Sequence, residues 1–189
     1  MEERVPTREE AFALLKRYNR SEGLIAHALA VEGVMRYFAP RYGGDPDEWG
    51  IIGLVHDLDY EQHPEQHCHK TREILAENQW PESFIRAVMS HGWGICTDVE
   101  PRTDLEKVLY AVDELTGLVT AAALVRPSRS VMDLTASSVK KKWKDRRFAA
   151  GVDREVIEKG ALLLDVDITD LISGTIEGMR DVADQIGLK

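Results

Sequence analysis

The sequence predicts an all-α protein: a helical bundle with a helical extension at its C-terminal end. Three observations lead there. Apolar residues recur at helical spacing along nearly the whole chain. Helix start signals precede most of those runs. No stretch alternates apolar and polar residues between turn signals as a strand does, and there is no internal repeat or low-complexity linker.

The elements follow in order. Thr7-Arg-Glu-Glu10 is a capping box, and Phe12, Leu14, Leu15 and Tyr18 follow it at helical spacing. Ser21 caps a second helix that carries Leu24, Ile25, Ala28, Val31, Val34, Met35 and Phe38. PRYGGDPDEW breaks it, and Pro46 suits the first turn of a third helix running to about Asp57. Pro64 opens a fourth, through Ile74 and Leu75. Pro81 opens a short fifth, with Gly92 near its end. Thr103-Asp-Leu-Glu106 is a second capping box, heading a long helix over Val108, Leu109, Val112, Leu115 and Val119. After RPSRS comes a compact basic run, SVKKKWKDRRF. Asp153 then caps REVIEKGALLL, and ITDLISGTIEGMRDVADQI is the last helix. The expected division is a helical core over residues 1–127 that holds the site, with residues 128–189 packed on it in one globular unit.

Composition narrows the function. At 43% hydrophobic and 30% charged, the 189 residues read as an ordinary globular chain with ample material for a core. A net charge of -9 argues against a general nucleic-acid binder, although a local basic patch or metal ions could still bind phosphate. No apolar run approaches the ~20 residues of a membrane helix. Cys68 and Cys96 do not make a disulfide framework, and the first residues, MEERVPTREE, are charged from the start. The expectation is a reducing, cytoplasmic compartment with both cysteines as free thiols.

The chemistry concentrates in a few polar residues at apolar-patterned positions. The apolar segment Trp49–Val55 ends in adjacent His56 and Asp57, and a buried carboxylate needs compensation. His27 lies inside LIAHALAV, His67 near the start of the fourth helix, and His91 at the end of the fifth. Asp113 interrupts the apolar face of the long helix. Taken singly, each has a plainer reading. His27 fits a satisfied core histidine, Asp113 a loop cap or arginine partner, and His67 a surface residue. The set is different, because histidines and aspartates on inward helix faces can converge on one point in a bundle and hold a metal ion there.

In that order of residues, H…HD…H…H…D, the chain resembles the HD superfamily of metal-dependent phosphohydrolases, over about Leu24 to Arg129. SHGWG…LEKVLYAVDELTG is similar to a segment of HD-type diadenosine tetraphosphate hydrolases. The whole chain, with SVKKKWKDRRFAAG, resembles small HD/HDIG-type hydrolases of unassigned substrate. The resemblance implies that His27, His56, Asp57 and Asp113 hold one ion. It also implies that Asp57 bridges to a second ion held by His67 and His91. His56 and Asp57 would then be the catalytic pair, acting with a metal-activated water on a small phosphorylated substrate such as a nucleotide. One or two divalent transition ions (Mn, Fe, Ni, Co or Zn) suit mixed imidazole and carboxylate donors. The same ligands would also serve an HD-fold di-iron oxygenase, and a non-catalytic nucleotide-binding regulator is a third reading.

One departure bears on the substrate. Many HD phosphohydrolases carry a lysine soon after the His-Asp pair, whereas here the chain continues Leu58-Asp59-Tyr60-Glu61. Lys70 and Arg72 are the nearest replacements. Lys140, Lys141 and Lys144, in the basic run, could form a phosphate-facing lip; the plainer reading is a solvated surface. Trp143 and Phe148 could stack on a base or anchor the run to the core. HPEQHCH invites a structural zinc site, but Pro64 separates His63 from the helix and Cys68 has no cysteine nearby in sequence.

Overall fold

The computed structural model describes residues 4–189. Its helices begin where the side chains can satisfy the first free N–H groups. Thr7 accepts from Glu10 N while Glu10 accepts from Thr7 N, starting α1 (Arg8–Tyr18). Ser21 caps α2 (Glu22–Phe38), and Asp45 with Pro46 starts α3 (Pro46–Val55). α4 (His69–Glu77) and α5 (Glu82–Ser90) form a short pair. The second capping box, at Thr103, starts α6 (Asp104–Leu124). Thr135, Asp153 and Asp167 cap α7 (Ala136–Trp143), α8 (Arg154–Leu164) and α9 (Ile168–Asp181). Among the described residues there is no strand; one isolated bridge joins Trp93 and Thr97. No described helix is long and apolar enough to cross a membrane.

α2 is the axis of the bundle, packed by α3, α6 and α9. The α2–α9 crossing is close enough to require glycine on both sides. A Cβ on Gly33 would lie 2.7 Å from Gly178 O, and one on Gly178 would lie 2.5 Å from Val34 Cα. Around that crossing Val34, Met35, Ile172, Ile176 and Met179 are buried. α8 lies along α6, and α1 covers α3. Glu32, buried on α2, is held by Arg8 (2.5 and 2.9 Å) and Arg36 (3.2 Å), so its charge is paired.

Two helices differ from expectation. The fourth does not start at Pro64. Pro64–Gln66 is a separate 3-10 turn, and Cys68 takes a left-handed φ of 67° before α4 begins at His69. The chain breaks there because α4 is capped from elsewhere: Asp59 accepts from Thr71 N at 2.8 Å. The last helix stops at Asp181 rather than running to Ile186. The chain beyond it turns so that Leu188 N donates to Ala183 O and Leu188 O accepts from Val131 N, both at 2.9 Å.

The basic segment is pinned from α8 by Arg154, which is 1% exposed. Its guanidinium donates to the carbonyls of Trp143 (2.9 Å), Phe148 (2.7 Å) and Asp145 (3.2 Å). A buried cation with only carbonyl partners is satisfied by hydrogen bonds alone. Arg154→Ala would therefore strand those carbonyls, at a cost of about 2–4 kcal/mol. A thermal melt should show a fall of about 5–12 °C; an unchanged midpoint would show that the clamp contributes nothing.

Candidate metal centre

Helix ends supply most of the site. His56 is the last helical residue beyond α3 and His91 the one beyond α5, so both rings leave their helices toward the bundle interior. Asp57 follows on the turn after His56. His27 comes from the middle of α2 and Asp113 from the middle of α6. His67 comes from the irregular link between the 3-10 turn and α4. Far apart in sequence, these six side chains meet in two adjoining groups: His27, His56, Asp57 and Asp113 in one, and Asp57, His67 and His91 in the other.

The outer ring nitrogens fix which atoms face inward. His56 Nδ1 donates to Gly53 O at 2.7 Å and His91 Nδ1 to Val88 O at 2.5 Å. His67 Nδ1 donates to Asp59 Oδ1 at 2.9 Å. Thr116 gives its own proton to Asp113 O at 2.7 Å, leaving its oxygen to accept from His27 Nδ1 at 3.3 Å. With every Nδ1 protonated, every neutral ring presents an Nε2 lone pair to the centre. Those lone pairs face each other: His27 Nε2 and His56 Nε2 are 3.2 Å apart, as are His67 Nε2 and His91 Nε2. Such pairs repel unless a proton or a metal ion lies between them.

The spacings suit such an ion. Donors about 2.1 Å from an ion, at angles of roughly 90–109°, lie about 3.0–3.4 Å from each other. In the first group, Asp113 Oδ1 is 3.0 Å from His27 Nε2 and 3.3 Å from His56 Nε2. Asp57 Oδ2 is 3.4 Å from His56 Nε2 and 3.8 Å from His27 Nε2. In the second group, Asp57 Oδ1 is 3.3 Å from His91 Nε2 and 3.6 Å from His67 Nε2. That Oδ1 is buried and makes no hydrogen bond. An orphaned carboxylate oxygen among lone pairs is what a cation would satisfy, so the residues fit a divalent metal.

The electrostatics agree. Burial opposes charge on His56, yet Asp57 and Asp113 outweigh it and raise its pKa well above the ordinary histidine value. Burial would also push Asp57 and Asp113 up, but His56 dominates the opposing effect and holds both well below the carboxylate range. The site draws positive charge to itself.

These groups floor a cleft of about 310 Å³, with Leu24, Tyr60, Ile95 and Val156 around it. No lysine or arginine lines it. The candidate phosphate-binding residues lie elsewhere. Lys70 pairs with Glu73 at 2.5 Å, and Arg72 points toward Glu82. Lys140 donates to Thr169 at 2.8 Å, while Lys141 and Lys144 face solvent. Lys140, Lys141 and Lys144 sit on or just after α7, which packs against α9 and α6, and none of the three lines the cleft. Trp143 and Phe148 anchor the run, Trp143 donating to Glu158 and Phe148 packing on the core.

Sequence reasoning passed over several residues of the site. Asp59 is fully buried, orients His67 and caps α4. Its signal lay in the departure itself, an acidic residue two places after Asp57 in an apolar setting. Glu114 also lines the cleft, accepts from Asp153 N at 3.0 Å, and is pushed up to about 7 by burial and the neighbouring Asp113 charge. Glu61 accepts from Arg20 N and Ser21 N, tying the turn after Asp57 to the start of α2. Cys68, isolated in sequence, has Cys96 beside it in space at 2.7 Å.

With this geometry in place, the family comparison is decisive: the HD domain model matches residues 24–118, half of the chain, and spans all six clustered side chains, with Asp113 near its end. The chain belongs to the HD domain family. No solved structure was found to match it. HD domains bind divalent metals and are generally hydrolases, and the two His/Asp groups here could hold such ions.

Asp59 makes the HD site testable without touching a direct donor. Asp59→Asn can keep an acceptor for His67 Nδ1 only by turning its amide against Thr71 N–H. Losing the orienting partner of a ligating histidine weakens metal affinity by about 10–100-fold. Metal titration should show that loss; an affinity equal to that of the unsubstituted protein would separate Asp59 from the site.

Proposed function

We propose that this HD-domain protein is a metal-dependent phosphohydrolase that cleaves a nucleotide or another small phosphate ester, using two divalent ions that share Asp57. The supporting observation is the Asp57 carboxylate, whose two oxygens face different groups of imidazole lone pairs. When bound, two such ions supply Lewis-acid chemistry that acidifies water and neutralises phosphoryl oxygens.

The protein's own residues do the rest. His27, His56 and Asp113 form one wall of the site, and His67 and His91 the other, with tautomers set before any ligand arrives. Pre-set donors need no reorganisation during reaction. Asp57 and Asp113 keep carboxylate charge in a cleft that no lysine or arginine lines. A phosphate ester meets carboxylates there and no lysine or arginine, so substrate binding depends on metal. Tyr60, over the His67 ring at 5.1 Å, and exposed Ile95 offer apolar surface to the non-phosphate part of the substrate. A cleft of about 310 Å³ suits a small molecule.

Metal analysis of the isolated protein, followed by a phosphoester and nucleotide screen with Mn²⁺, Ni²⁺ and Co²⁺, tests this reading. The expected result is bound transition metal and metal-dependent hydrolysis. Asp57→Ala should lose bound metal and on the order of 10³-fold or more in rate. Iron with an oxygen-dependent spectrum and no hydrolysis would overturn the proposal for an oxygenase. Tight nucleotide binding without turnover would overturn it for a regulator.

A further inference from the structure

Beside the His67–His91 wall lies a pair of thiols that the hydrolytic reading does not use. Cys68 Sγ and Cys96 Sγ are 2.7 Å apart, although 28 residues separate them in the chain. Nonbonded carbon atoms rest at roughly 3.5–4.0 Å, and sulfur is larger. The surroundings are shaped to this contact. A Cβ on Gly92 would collide with both sulfurs, so the residue after His91 has no room for a side chain. Cys68 holds a left-handed φ of 67°, uncommon for any residue but glycine, and is fully buried. Cys96 is half-buried and lines the cleft. One sulfur is reached from the cleft, and the other waits behind it.

We propose that Cys68 and Cys96 are a dithiol modification site that closes to an intramolecular disulfide with hydrogen peroxide as oxidant. The Cys96 sulfur attacks one peroxide oxygen; the O–O bond breaks, water leaves, and Cys96 becomes a sulfenic acid. The Cys68 sulfur then attacks Cys96 Sγ; the S–S bond forms, the S–O bond breaks, and the hydroxide leaves as water with the Cys68 proton. Two thiols are oxidised, one peroxide is reduced, and two waters form. A thiol reductant reverses the change by exchange.

Closure has a consequence at the metal centre, and that part rests on the two-ion reading above. The sulfurs move from 2.7 Å to the bonded distance of about 2.05 Å. Cys68 adjoins His67, and Cys96 lies in the turn that follows His91. Drawing the sulfurs together pulls on the segments that carry both histidines, and donors that lose their orientation weaken metal binding by about 10–100-fold. The oxidised chain therefore keeps the ion of His27, His56 and Asp113 and binds the other at least tenfold more weakly.

The test uses the metal-free, full-length protein treated with stoichiometric hydrogen peroxide. The expected product is monomeric, lighter by two hydrogens, without titratable thiols, and yields a Cys68–Cys96 cross-linked peptide that dithiothreitol releases. In Cys68→Ser, Cys96 should stop at the sulfenic acid or oxidise further. In Cys96→Ser, buried Cys68 should stay reduced. Sulfinic or sulfonic acid without a cross-link in the wild type, or a cross-link between chains, overturns the dithiol site whatever the metal does. Metal titration of the cross-linked protein then reads the second part. Loss of one ion's affinity supports it; two ions bound as before overturn the coupling alone, and no ions bound to the reduced protein would instead overturn the two-ion reading.

Discussion

A carboxylate held between two sets of imidazole lone pairs is the constraint on which the rest depends. Asp57 Oδ2 belongs to the His27–His56–Asp113 group, and Oδ1, without a hydrogen bond, to the His67–His91 group. Neither set is satisfied by neutral rings alone, since lone pairs 3.2 Å apart repel until a proton or a metal ion lies between them. Everything around them keeps the arrangement from relaxing. Backbone carbonyls hold His56 and His91, Thr116 holds His27, and Asp59 holds His67. The bundle supplies rigidity where the site supplies strain.

The fold serves this in a simple way. Helices that end at the centre deliver side chains from their last residues, as α3 and α5 do with His56 and His91. Helices that pass through it deliver side chains from the middle, as α2 and α6 do with His27 and Asp113. α2 can pass so close to its neighbours because Gly33 and Gly178 let α9 approach its other side. The C-terminal helices contribute indirectly. Arg154 gathers the basic segment, and Gly151 at its end borders the cleft.

Much of this was legible in the sequence because it is local. Both capping boxes, the caps at Ser21 and Asp153, and the period of the apolar residues are set by neighbours three or four positions away. The six clustered side chains were legible because polar residues stood at apolar-patterned positions. What stayed hidden depends on contacts across long stretches of chain. α4 starts late because Asp59 caps it from outside its own segment. Arg154 looks like a surface residue at the start of an amphipathic helix, yet it is buried under carbonyls contributed by residues before it. The lysines of the basic run suggested a phosphate lip by charge alone, and only the folded chain shows that none of them lines the cleft. Cys68 gained its partner from a turn that no local pattern connects to it.

The most direct measurement is anomalous diffraction from crystals grown with Mn²⁺ or Co²⁺. The account predicts two peaks about 3.5–4 Å apart, one among His27, His56 and Asp113 and one between His67 and His91, each beside a different oxygen of Asp57. A single peak, or ions bound with Asp57 turned away from both groups, would contradict it.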